Sequence, residues 1–491
     1  MKASEIMLNL VFLVSLAGSS FQKSLLQLGT EVTGSDYNPC KGDDVLSCVL
    51  ALVDVSAFDD EILILPGGVE LTKQNDIQES MSRSGRRGLA KSMAYSGQGC
   101  EAVFTLRRGR VMGNVEYKDG SDFVLEPCKN FEGCHVWKEE DTAHMVEEEG
   151  EEVPIEMRAD ELISREAKEE LIKKGKDDDT TIVEYSIKYY YTQEFAEATD
   201  DIELYFDQVI AETNQGYINS KIPVRVWIFC IEATTLKDEK ESSTQLSKFT
   251  SYKGSAEALR GSADAAALLL IKTSSCGRGY LDSWDNGKTV TVQAKGCALG
   301  YYTMGHELAH NFGGTHDREH SSPNSYYSFG HGGYIEPRYR TIMGYPKSGY
   351  SRVNYYSSPD VFFQGVVTGS DSEDNARVIK ENRFGFAAVG DESGTCEEAT
   401  ATSTPPVTSL GECKSINRLF IGGDTLAKTK VKNAKVCEDK CWDNMDCTHW
   451  TFFDKKFKQK KLRKRCVLMS GDISKVKKTK KAVSGAIDKC A

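Results

Sequence analysis

The feature that most constrains this chain is the stretch HELAHNFGGTHD at positions 306–317. On a helix, His306 and His310 project from the same face because they are four residues apart. Both imidazoles can therefore reach one metal ion, while Glu307 lies beside that ion without binding it. The pattern thus predicts a helix that runs along a metal site.

The residues after the second histidine predict the end of this helix. Gly313 and Gly314 accept the left-handed conformation that turns a chain, so His316 can return as a third ligand. Three imidazoles leave one position of a tetrahedral Zn²⁺ ion open for the water that a hydrolase needs. The alternative is a histidine-rich stretch of an ordinary helix. The pattern H-E-x-x-H-x-x-G-x-x-H is matched at every specified position, which favours the catalytic zinc site.

With this motif the sequence resembles the metzincin zinc endopeptidases, and TIMGY at 341–345 resembles their Met-turn. The resemblance implies that Met343 lies beneath the metal and that Glu307 is the general base. Asp317, directly after the third histidine, is the adamalysin/reprolysin form of the motif. Ile342 stands where adamalysins usually carry a cysteine, so the disulfide pattern of that family cannot be carried over.

Tyr345 follows Met343 by two residues, as in the Met-turn of astacins and serralysins, whose tyrosine can approach the zinc. The resemblance implies a catalytic role for Tyr345. The alternative is a tyrosine packed in the core, with its hydroxyl bonded there.

The region before the motif alternates between strand-like and helix-like patterns. TIVEYSIKYYYT, IPVRVWIFCIEA and DAAALLLIKT read as strands, and an amphipathic helix begins near Ile202. This alternation indicates an α/β domain. For residues 181–396 the resemblance implies a metzincin-like α/β (α+β) domain with a twisted mixed sheet and the active-site helix.

The segments before this domain indicate a secreted precursor. Residues 1–20 carry one lysine and a long apolar run, which is typical of a signal peptide; a buried amino-terminal helix is the alternative. Residues 21–145 read as a β-rich module with a tight turn at Asp119–Gly120, and they resemble a reprolysin-type propeptide. Residues 146–180 are strongly charged and predict an exposed connector that is partly helical.

Fifteen cysteines in a secreted chain imply disulfides and leave one thiol over. The count is odd in residues 21–145, so the unpaired thiol belongs there if disulfides stay within modules. In the resembled family a prodomain thiol caps the zinc as a cysteine switch. We assign this role to Cys134, ahead of Cys128. The alternatives are an intermodular disulfide and an unpaired buried cysteine.

After a Pro/Ser/Thr-rich linker, 397–412, six cysteines occupy a module at 413–490 that resembles a PAN/apple domain. The resemblance implies three disulfides: Cys413–Cys490, Cys437–Cys466 and Cys441–Cys447. The basic runs KKFKQKKLRKR and KVKKTKK either bind sulfated glycans or extracellular matrix, or are solvated loops.

Together these features predict a secreted, extracellular zinc metalloendopeptidase that is made as a latent precursor and acts on polypeptides. The net charge of −12 argues against nucleic acid as a partner. No stretch after the amino terminus is long and apolar enough to predict a transmembrane segment. The alternatives are an adhesive or matrix-binding protein with an inactive protease domain, and a secreted toxin-like metalloprotease.

Overall fold

The structure of this chain is a computed structural model. The residues that it describes are 26–31, 45–79, 90–97, 99–107, 109–128, 134–140, 153–154, 164–321, 327–391, 414–421, 424–442, 447, 449–457, 460–470 and 475–486. The signal peptide and the linker that the sequence predicts lie outside these residues.

The amino-terminal module is an antiparallel sheet. Its described strands are β1 Leu26–Glu31, β2 Val45–Val53, β3 Ile62–Leu65, β4 Val69–Glu79, β5 Ala90–Gly97, β6 Cys100–Arg107, β7 Arg110–Tyr117, β8 Asp122–Pro127 and β9 Cys134–Glu140. They lie side by side in the order β1-β2-β9-β8-β7-β6-β5-β4-β3. Apolar side chains from several of these strands share one core, among them Phe104, Val115 and Trp137.

The predicted tight turn between β7 and β8 is confirmed. The Asp119 carboxylate accepts hydrogen bonds from the backbone N–H of Ser121 at 3.0 Å and from its hydroxyl at 2.6 Å. Gly120 has φ of 91°, a left-handed conformation that disfavours a side chain. The local chemistry of Asp-Gly-Ser therefore fixes this hairpin.

The central module is built on a mixed sheet. Its described strands are β10 Val153–Pro154, β11 Val183–Tyr191, β12 Val224–Ala233, β13 Ala265–Leu270, β14 Gly277–Leu281 and β15 Val290–Ala294. Their order is β10-β14-β15-β13-β11-β12. Strands β11, β12, β13 and β15 are parallel, whereas β14 runs antiparallel to β15. The strands predicted from TIVEYSIKYYYT, IPVRVWIFCIEA and DAAALLLIKT are confirmed as β11, β12 and β13.

Helices and short strand pairs complete the central module. The helices are α1 Arg165–Asp177, α2 Gln193–Glu197, α3 Ile202–Asn219, α4 Ser242–Thr250, α5 Ala256–Arg260, α6 Lys295–Ala298, α7 Thr303–Phe312 and α8 Asn375–Phe386. The short strands are β16 Tyr334–Ile335, β17 Tyr339–Arg340, β18 Ser351–Arg352, β19 Phe362–Phe363 and β20 Val366–Val367.

Helix α3 is buried on almost every side, although its sequence predicts an amphipathic helix with one polar face. The reason is that the amino-terminal sheet covers the polar face. The Gln208 amide donates to the carbonyl of Val103 on β6 at 3.0 Å, and Asp207 forms an ion pair with Arg107. The two modules therefore meet along α3.

Helix α1 differs from the exposed connector that the sequence predicts over 146–180. Ile172 belongs to the core of the central module. Gly175 lies so close to α8 that an added Cβ would be 2.0 Å from the carbonyl oxygen of Glu381. The buried guanidinium of Arg383 also donates to the Gly175 carbonyl at 3.0 Å. Leu171 packs against the same core, and Lys168 forms ion pairs with Asp282 and Asp285, so this charged helix is docked by apolar contacts, a close glycine contact and ion pairs.

The carboxy-terminal module contains β21 Lys414–Ile421, β22 Asp424–Lys430, α9 Ala434–Trp442, β23 His449–Phe453, β24 Arg465–Ser470 and β25 Lys475–Ala486. The strands lie in the order β21-β25-β23-β24-β22. Two of the implied disulfides are confirmed, Cys437–Cys466 and Cys441–Cys447. The third pair, Cys413–Cys490, lies outside the described residues.

Among the helices that the structure describes, none is both long and apolar enough to cross a lipid bilayer.

Candidate metal centre

Helix α7 carries the first two histidines of the motif and ends as the sequence predicts. Gly313 has φ of 105°, and its N–H donates to the carbonyl of His310 at 2.9 Å. The N–H of Gly314 donates to the carbonyl of Ala309 at 2.8 Å. These two bonds satisfy carbonyls at the end of the helix while the chain reverses. The reversal returns His316 to the face of α7 from which His310 projects.

The three histidine side chains converge. The Nε2 atom of His306 lies 3.0 Å from Nε2 of His316 and 3.1 Å from Nε2 of His310. One nitrogen from each ring lies within 4.8 Å of the other two. All three residues are buried. In the part of the chain that the structure describes, these residues form a cluster able to hold a metal ion.

Hydrogen bonds on the opposite side of two of the rings, those of His306 and His310, set their tautomers. Nδ1–H of His306 donates to the carbonyl of Ile342 at 2.8 Å, and Nδ1–H of His310 donates to the carbonyl of Gly314 at 2.9 Å. Burial lowers the pKa of His310 to about 4 and the pKa values of His306 and His316 well below 6.5. The imidazoles are therefore neutral, with Nε2 lone pairs directed at one point, which is the donor set that zinc prefers.

The predicted Met-turn lies directly against the first histidine. The N–H of Gly344 closes a tight turn on the carbonyl of Thr341 at 3.0 Å, and Met343 is fully buried inside this turn. The carbonyl that orients His306 belongs to Ile342, the residue before Met343. A Cβ at Gly332 would lie 2.3 Å from the Met343 carbonyl oxygen. The turn is therefore packed too tightly for any side chain at position 332.

Asp317 links the histidine motif to Tyr345, the last residue of the TIMGY segment. Its Oδ2 atom accepts from the backbone N–H of Tyr345 at 2.9 Å and from the hydroxyl of Tyr334 at 3.2 Å. The ring of Tyr345 lies 5.3 Å from the ring of His316 and stacks on the ring of His320 at 4.2 Å. Tyr345 is thus both packed and adjacent to the third histidine. Sequence reasoning noted Asp317 only as a variant of the motif and did not anticipate this contact.

Glu307 lies where α7 passes under strand β14. A Cβ at Gly277 would be 2.7 Å from Oε1 of Glu307, and a Cβ at Gly279 would be 3.2 Å from Oε2. Burial raises the pKa of Glu307 to about 8, although the positive charge of Arg278 acts in the opposite direction. The carboxyl group therefore binds a proton more tightly here than an exposed glutamate does.

Strand β14 borders the metal centre, and its outer edge carries a short piece of the connector. The Asn311 amide of α7 donates to the carbonyl of Tyr280 at 2.7 Å, which fixes β14 over the helix. On the other edge, β10 runs parallel to β14, with Val153 opposite Tyr280 and Pro154 opposite Leu281. The edge of the sheet beside Glu307 is therefore occupied by residues 153–154.

The assignment of Cys134 as a free, zinc-capping thiol is wrong, because Cys134 is bonded to Cys128. The Cys128 N–H also donates to the Cys134 carbonyl at 2.9 Å, so the two residues are joined through their backbones as well. The free cysteine among the described residues is Cys100, in the amino-terminal module. Burial raises the pKa of its thiol to about 11, and it lines a cavity of about 260 Å³ with Lys118 and Tyr339.

Two buried arginines lie behind the first histidine. Nη2 of Arg352 is 3.4 Å from Nδ1 of His306, and Nη1 donates to the carbonyl of Tyr301 at 2.9 Å. Arg340 donates to the carbonyl of Gly344 and to the hydroxyl of Tyr301. Neither arginine belongs to a motif, so sequence reasoning had no signal by which to find them.

Two family models match the chain. The model described as metallo-peptidase family M12, of reprolysin type, matches residues 183–357. The model described as PAN domain matches residues 403–490. The first range contains the three histidines, Glu307 and the Met-turn.

Several bacterial proteins named peptidyl-Asp metalloendopeptidase are similar to the chain. One from Stenotrophomonas maltophilia is 35% identical over 194 residues, which are 36% of this chain and 46% of that protein. Another, from Pseudomonas fragi, is 29% identical over 180 residues, which are 36% of this chain and 99% of that protein. The chain thus spans less than half of the Stenotrophomonas protein. A solved structure of metalloproteinase-II from Bacteroides fragilis has a TM-score of 0.32 at 12% identity, covering 61% of this chain and 88% of that one. A score this low supports no statement about fold.

Proposed function

We propose that this chain, which contains an M12 metallopeptidase domain and a PAN domain, is a zinc metalloendopeptidase of extracellular proteins. One observation carries the proposal: the Nε2 atoms of His306, His310 and His316 converge. The buried Glu307 lies on α7, the helix that carries the first two of these histidines. Three neutral imidazoles with one carboxyl group beside them are the arrangement of a catalytic zinc site, in which the fourth metal position stays open.

Each of these residues has a distinct task. The three histidines would hold the zinc ion, which would supply Lewis-acid activation of a water molecule and of the scissile carbonyl. Glu307 would accept the proton of the attacking water and pass it to the leaving amine. Ile342 fixes His306 through its backbone carbonyl. Asp317 fixes Tyr345 beside His316, where its phenol can serve the reaction.

The substrate is a polypeptide in extended form. An extended peptide binds by adding a strand to a sheet edge, and the edge next to Glu307 belongs to β14. The relatives are named for action at aspartate, and we propose an aspartate-containing site for this chain as well.

The pairing of β10 with β14 supports synthesis as a latent precursor. A substrate strand and β10 would need the same backbone groups of Tyr280 and Leu281. Release of residues 153–154 from β14, after a cut in the connector, would open this edge. In this proposal residues 21–145 form a prodomain. The main chain of the connector, and not a thiol, blocks the edge of β14 to which a substrate strand would bind.

Two further observations support a secreted protein. The amino-terminal residues have the pattern of a signal peptide. Disulfide bonds occur in each of the three modules, at Cys128–Cys134, Cys276–Cys297 and Cys437–Cys466. Disulfides form and persist in oxidising compartments, which agrees with an extracellular location.

A second, binding function is proposed for the PAN module. Seven exposed basic residues lie between β23 and the start of β24: Lys455, Lys456, Lys460, Lys461, Arg463, Lys464 and Arg465. We name this group the basic loop. Clustered exposed cations attract sulfated polymers such as the glycans of the extracellular matrix. The module would thereby hold the protease near matrix substrates.

The alternative function is that of a binding protein, namely an adhesive protein with an inactive protease domain. It is disfavoured because the three histidines and Glu307 are all present and are brought together with their supporting hydrogen bonds. A toxin-like protease would share this chemistry and differ only in its biological use.

The test is to incubate the purified chain, before and after limited trypsin digestion, with a peptide library. Parallel samples contain 1,10-phenanthroline, or phenanthroline followed by excess zinc. We expect cleavage that the chelator abolishes and zinc restores. Chelator-resistant cleavage, or no cleavage by a chain shown to bind stoichiometric zinc, would contradict the proposal and favour the adhesive alternative.

A further inference from the structure

His320 lies on the turn that follows the third histidine of the motif. Its side chain is 38% exposed, whereas the side chain of Asp317, three residues earlier, is 4% exposed. Nδ1 of His320 lies 2.8 Å from Oδ1 of Asp317. A carboxylate accepts hydrogen bonds, so Nδ1–H of His320 is the donor. The imidazole is therefore tethered to Asp317 at the rim of the metal centre, where it can be replaced without opening a core.

The ring of His320 lies flat on the ring of Tyr345. The two ring centres are 4.2 Å apart and the ring planes differ by 8°. The ring of Tyr345 also meets the ring of His316 edge-on, at 5.3 Å and 75°. With His320 stacked on it, Tyr345 is 8% exposed. Tyr345 thus stands between a metal-binding imidazole and the imidazole of His320.

Asp317 holds Tyr345 in two ways. Its Oδ2 atom accepts from the backbone N–H of Tyr345 at 2.9 Å, which fixes the main chain there. The direction of the phenol depends on the two side-chain torsions of Tyr345, which a backbone hydrogen bond does not set. Asp317 also orients His320, whose flat ring opposes rotation of the Tyr345 ring. A group that takes part in a reaction has to be held close to its productive geometry before the substrate binds.

We infer that His320 is a positioning residue that holds the phenol of Tyr345 in the orientation used in peptide hydrolysis. This inference rests on the proposed function and on the part that Tyr345 plays in it. His320 acts through Tyr345, and its task is neither to bind the metal nor to accept the proton of the attacking water. The histidine motif ends at His316, so no pattern in the sequence marks His320.

Two substitutions separate the stacked ring from the hydrogen bond. His320→Phe keeps a flat ring against Tyr345 and loses the bond to Asp317, whereas His320→Gln keeps a donor for Asp317 and loses the ring. We expect His320→Gln and His320→Ala to lower kcat by about 10-fold with KM within about two-fold of the wild type, because a misplaced group slows the chemical step. His320→Phe should keep kcat within about three-fold of the wild type, because aromatic stacking is retained.

A double substitution tests whether His320 acts through the phenol. Tyr345→Phe removes only the hydroxyl and is expected to lower kcat by about 10- to 100-fold. His320→Ala in the Tyr345→Phe background should lower kcat by less than about two-fold more, because the hydroxyl on which it acts is already gone. Glu319→Ala changes the exposed neighbour of His320 and should keep the wild-type kcat. Elemental analysis measures the zinc content of every variant.

A second measurement needs neither zinc nor turnover. Tetranitromethane nitrates accessible tyrosine rings, and mass spectrometry of the resulting peptides locates each nitrated residue. In the metal-free chain, His320→Ala and His320→Gln should raise the nitration rate of Tyr345 by at least about three-fold, because one face of its ring loses the stacked contact. His320→Phe should leave this rate unchanged. Tyr350, which contacts Tyr334 and not His320, serves as the internal reference in each sample.

Several results would overturn the inference. One is a zinc-loaded His320→Ala variant with the wild-type kcat, and another is a loss of kcat that is equally large with Tyr345 and with Tyr345→Phe. A loss in His320→Phe without a loss in His320→Gln would assign the effect to the hydrogen bond with Asp317 instead. If His320→Ala does not fold, equal kcat values for the phenylalanine and glutamine variants overturn the inference.

The outcomes also separate the inference from the proposed function. A Tyr345→Phe variant with the wild-type kcat overturns the inference and leaves the peptidase function intact. Unchanged nitration of Tyr345 in His320→Ala does the same, because the ring of His320 would then not cover Tyr345. A wild-type chain that binds zinc and cleaves nothing overturns the proposed function itself.

Discussion

The carboxyl group of Glu116, on β7 of the amino-terminal module, accepts a 2.8 Å hydrogen bond from the hydroxyl of Tyr302. Tyr302 directly precedes α7, the helix that carries His306 and Glu307. Burial raises the pKa of Glu116 well above 4.5, and the negative charges of Asp122 and Glu101 raise it further. The hydrogen bond between Glu116 and Tyr302 joins the amino-terminal module to the residue before the metal-binding helix. It therefore depends on a carboxyl group that stays protonated to a higher pH than an exposed glutamate.

Docking of the amino-terminal module is expected to weaken as the pH rises. Docking adds to the burial of Glu116 and so raises its pKa further, which means that docking binds a proton and that this contribution is fully present below the pKa of the undocked state. The contribution is lost as the pH rises through the raised pKa, with a slope of up to about 1.4 kcal/mol per pH unit. The measurement is hydrogen exchange at the amides of β7 and α3 between pH 5 and pH 9, corrected for intrinsic exchange rates.

Glu116→Gln should flatten this pH dependence, because glutamine stays neutral and can still accept the hydrogen bond from Tyr302. Glu61→Gln, at an exposed position of the same module, is the matched control and should behave as the wild type. Equal pH profiles for the wild type and Glu116→Gln would show that another group controls the docking.

Glu307→Gln is expected to keep zinc and to lose peptide hydrolysis by about 10²- to 10⁴-fold, because the attacking water no longer has a proton acceptor. The assay measures kcat/KM with a peptide from the library and zinc by elemental analysis. Glu319→Gln changes an exposed glutamate close in sequence to His316 and should leave both values unchanged. Turnover near the wild-type rate in a zinc-replete Glu307→Gln variant would show that Glu307 is not the proton acceptor.

Latency should respond to the connector and not to thiol reagents. Cys134 is bonded to Cys128, and Cys100 is buried with a pKa of about 11, so the described residues offer N-ethylmaleimide no thiolate at the metal. We expect no activation by this reagent and clear activation when a specific protease site, inserted between Glu140 and Ser164, is cut. The readout is cleavage of the library peptide. Activation by N-ethylmaleimide alone would contradict this prediction and show that a thiol keeps the precursor inactive.

The basic loop should bind heparin without affecting catalysis. The full-length chain is expected to be retained on immobilised heparin at low salt and to elute as salt rises, because screening and counterion release dominate such binding. Replacement of Lys455, Lys460 and Lys461 by alanine should lower the salt needed for elution. Replacement of the exposed Lys173, Lys237 and Lys240 in the central module should not. Equal elution of both triple variants would show that the basic loop is only solvated surface.

The metal centre was predictable from sequence because its parts are local. His306, His310 and His316 lie within eleven consecutive positions. The first two are one helical turn apart, and the glycine turn returns the third to them. Strands β11, β12 and β13 of the central sheet were predictable for a similar reason, since each is a short run rich in apolar, aromatic or β-branched residues. The disulfides of the PAN module followed from the resemblance, and Cys437–Cys466 and Cys441–Cys447 are present.

The remaining features depend on contacts between residues far apart in the chain. Cys128 and Cys134 are near neighbours that could have remained thiols, and only the hairpin geometry brings them together. Arg352 reaches His306 across 46 positions, and no pattern of residue types marks such a pair. The polar face of α3 suggested contact with water, because the sequence does not reveal that a second module covers it.

In the proposed maturation, the docking of α1 limits where the mature enzyme can begin. Ile172 lies in the core of the central module, and Gly175 touches α8, so removal of this helix would open the core. The Ser164 hydroxyl also caps the first turn, accepting from the N–H of Ala167 at 3.3 Å. The activating cut that we propose must therefore fall before Ser164, because trimming through α1 would expose the core of the central module.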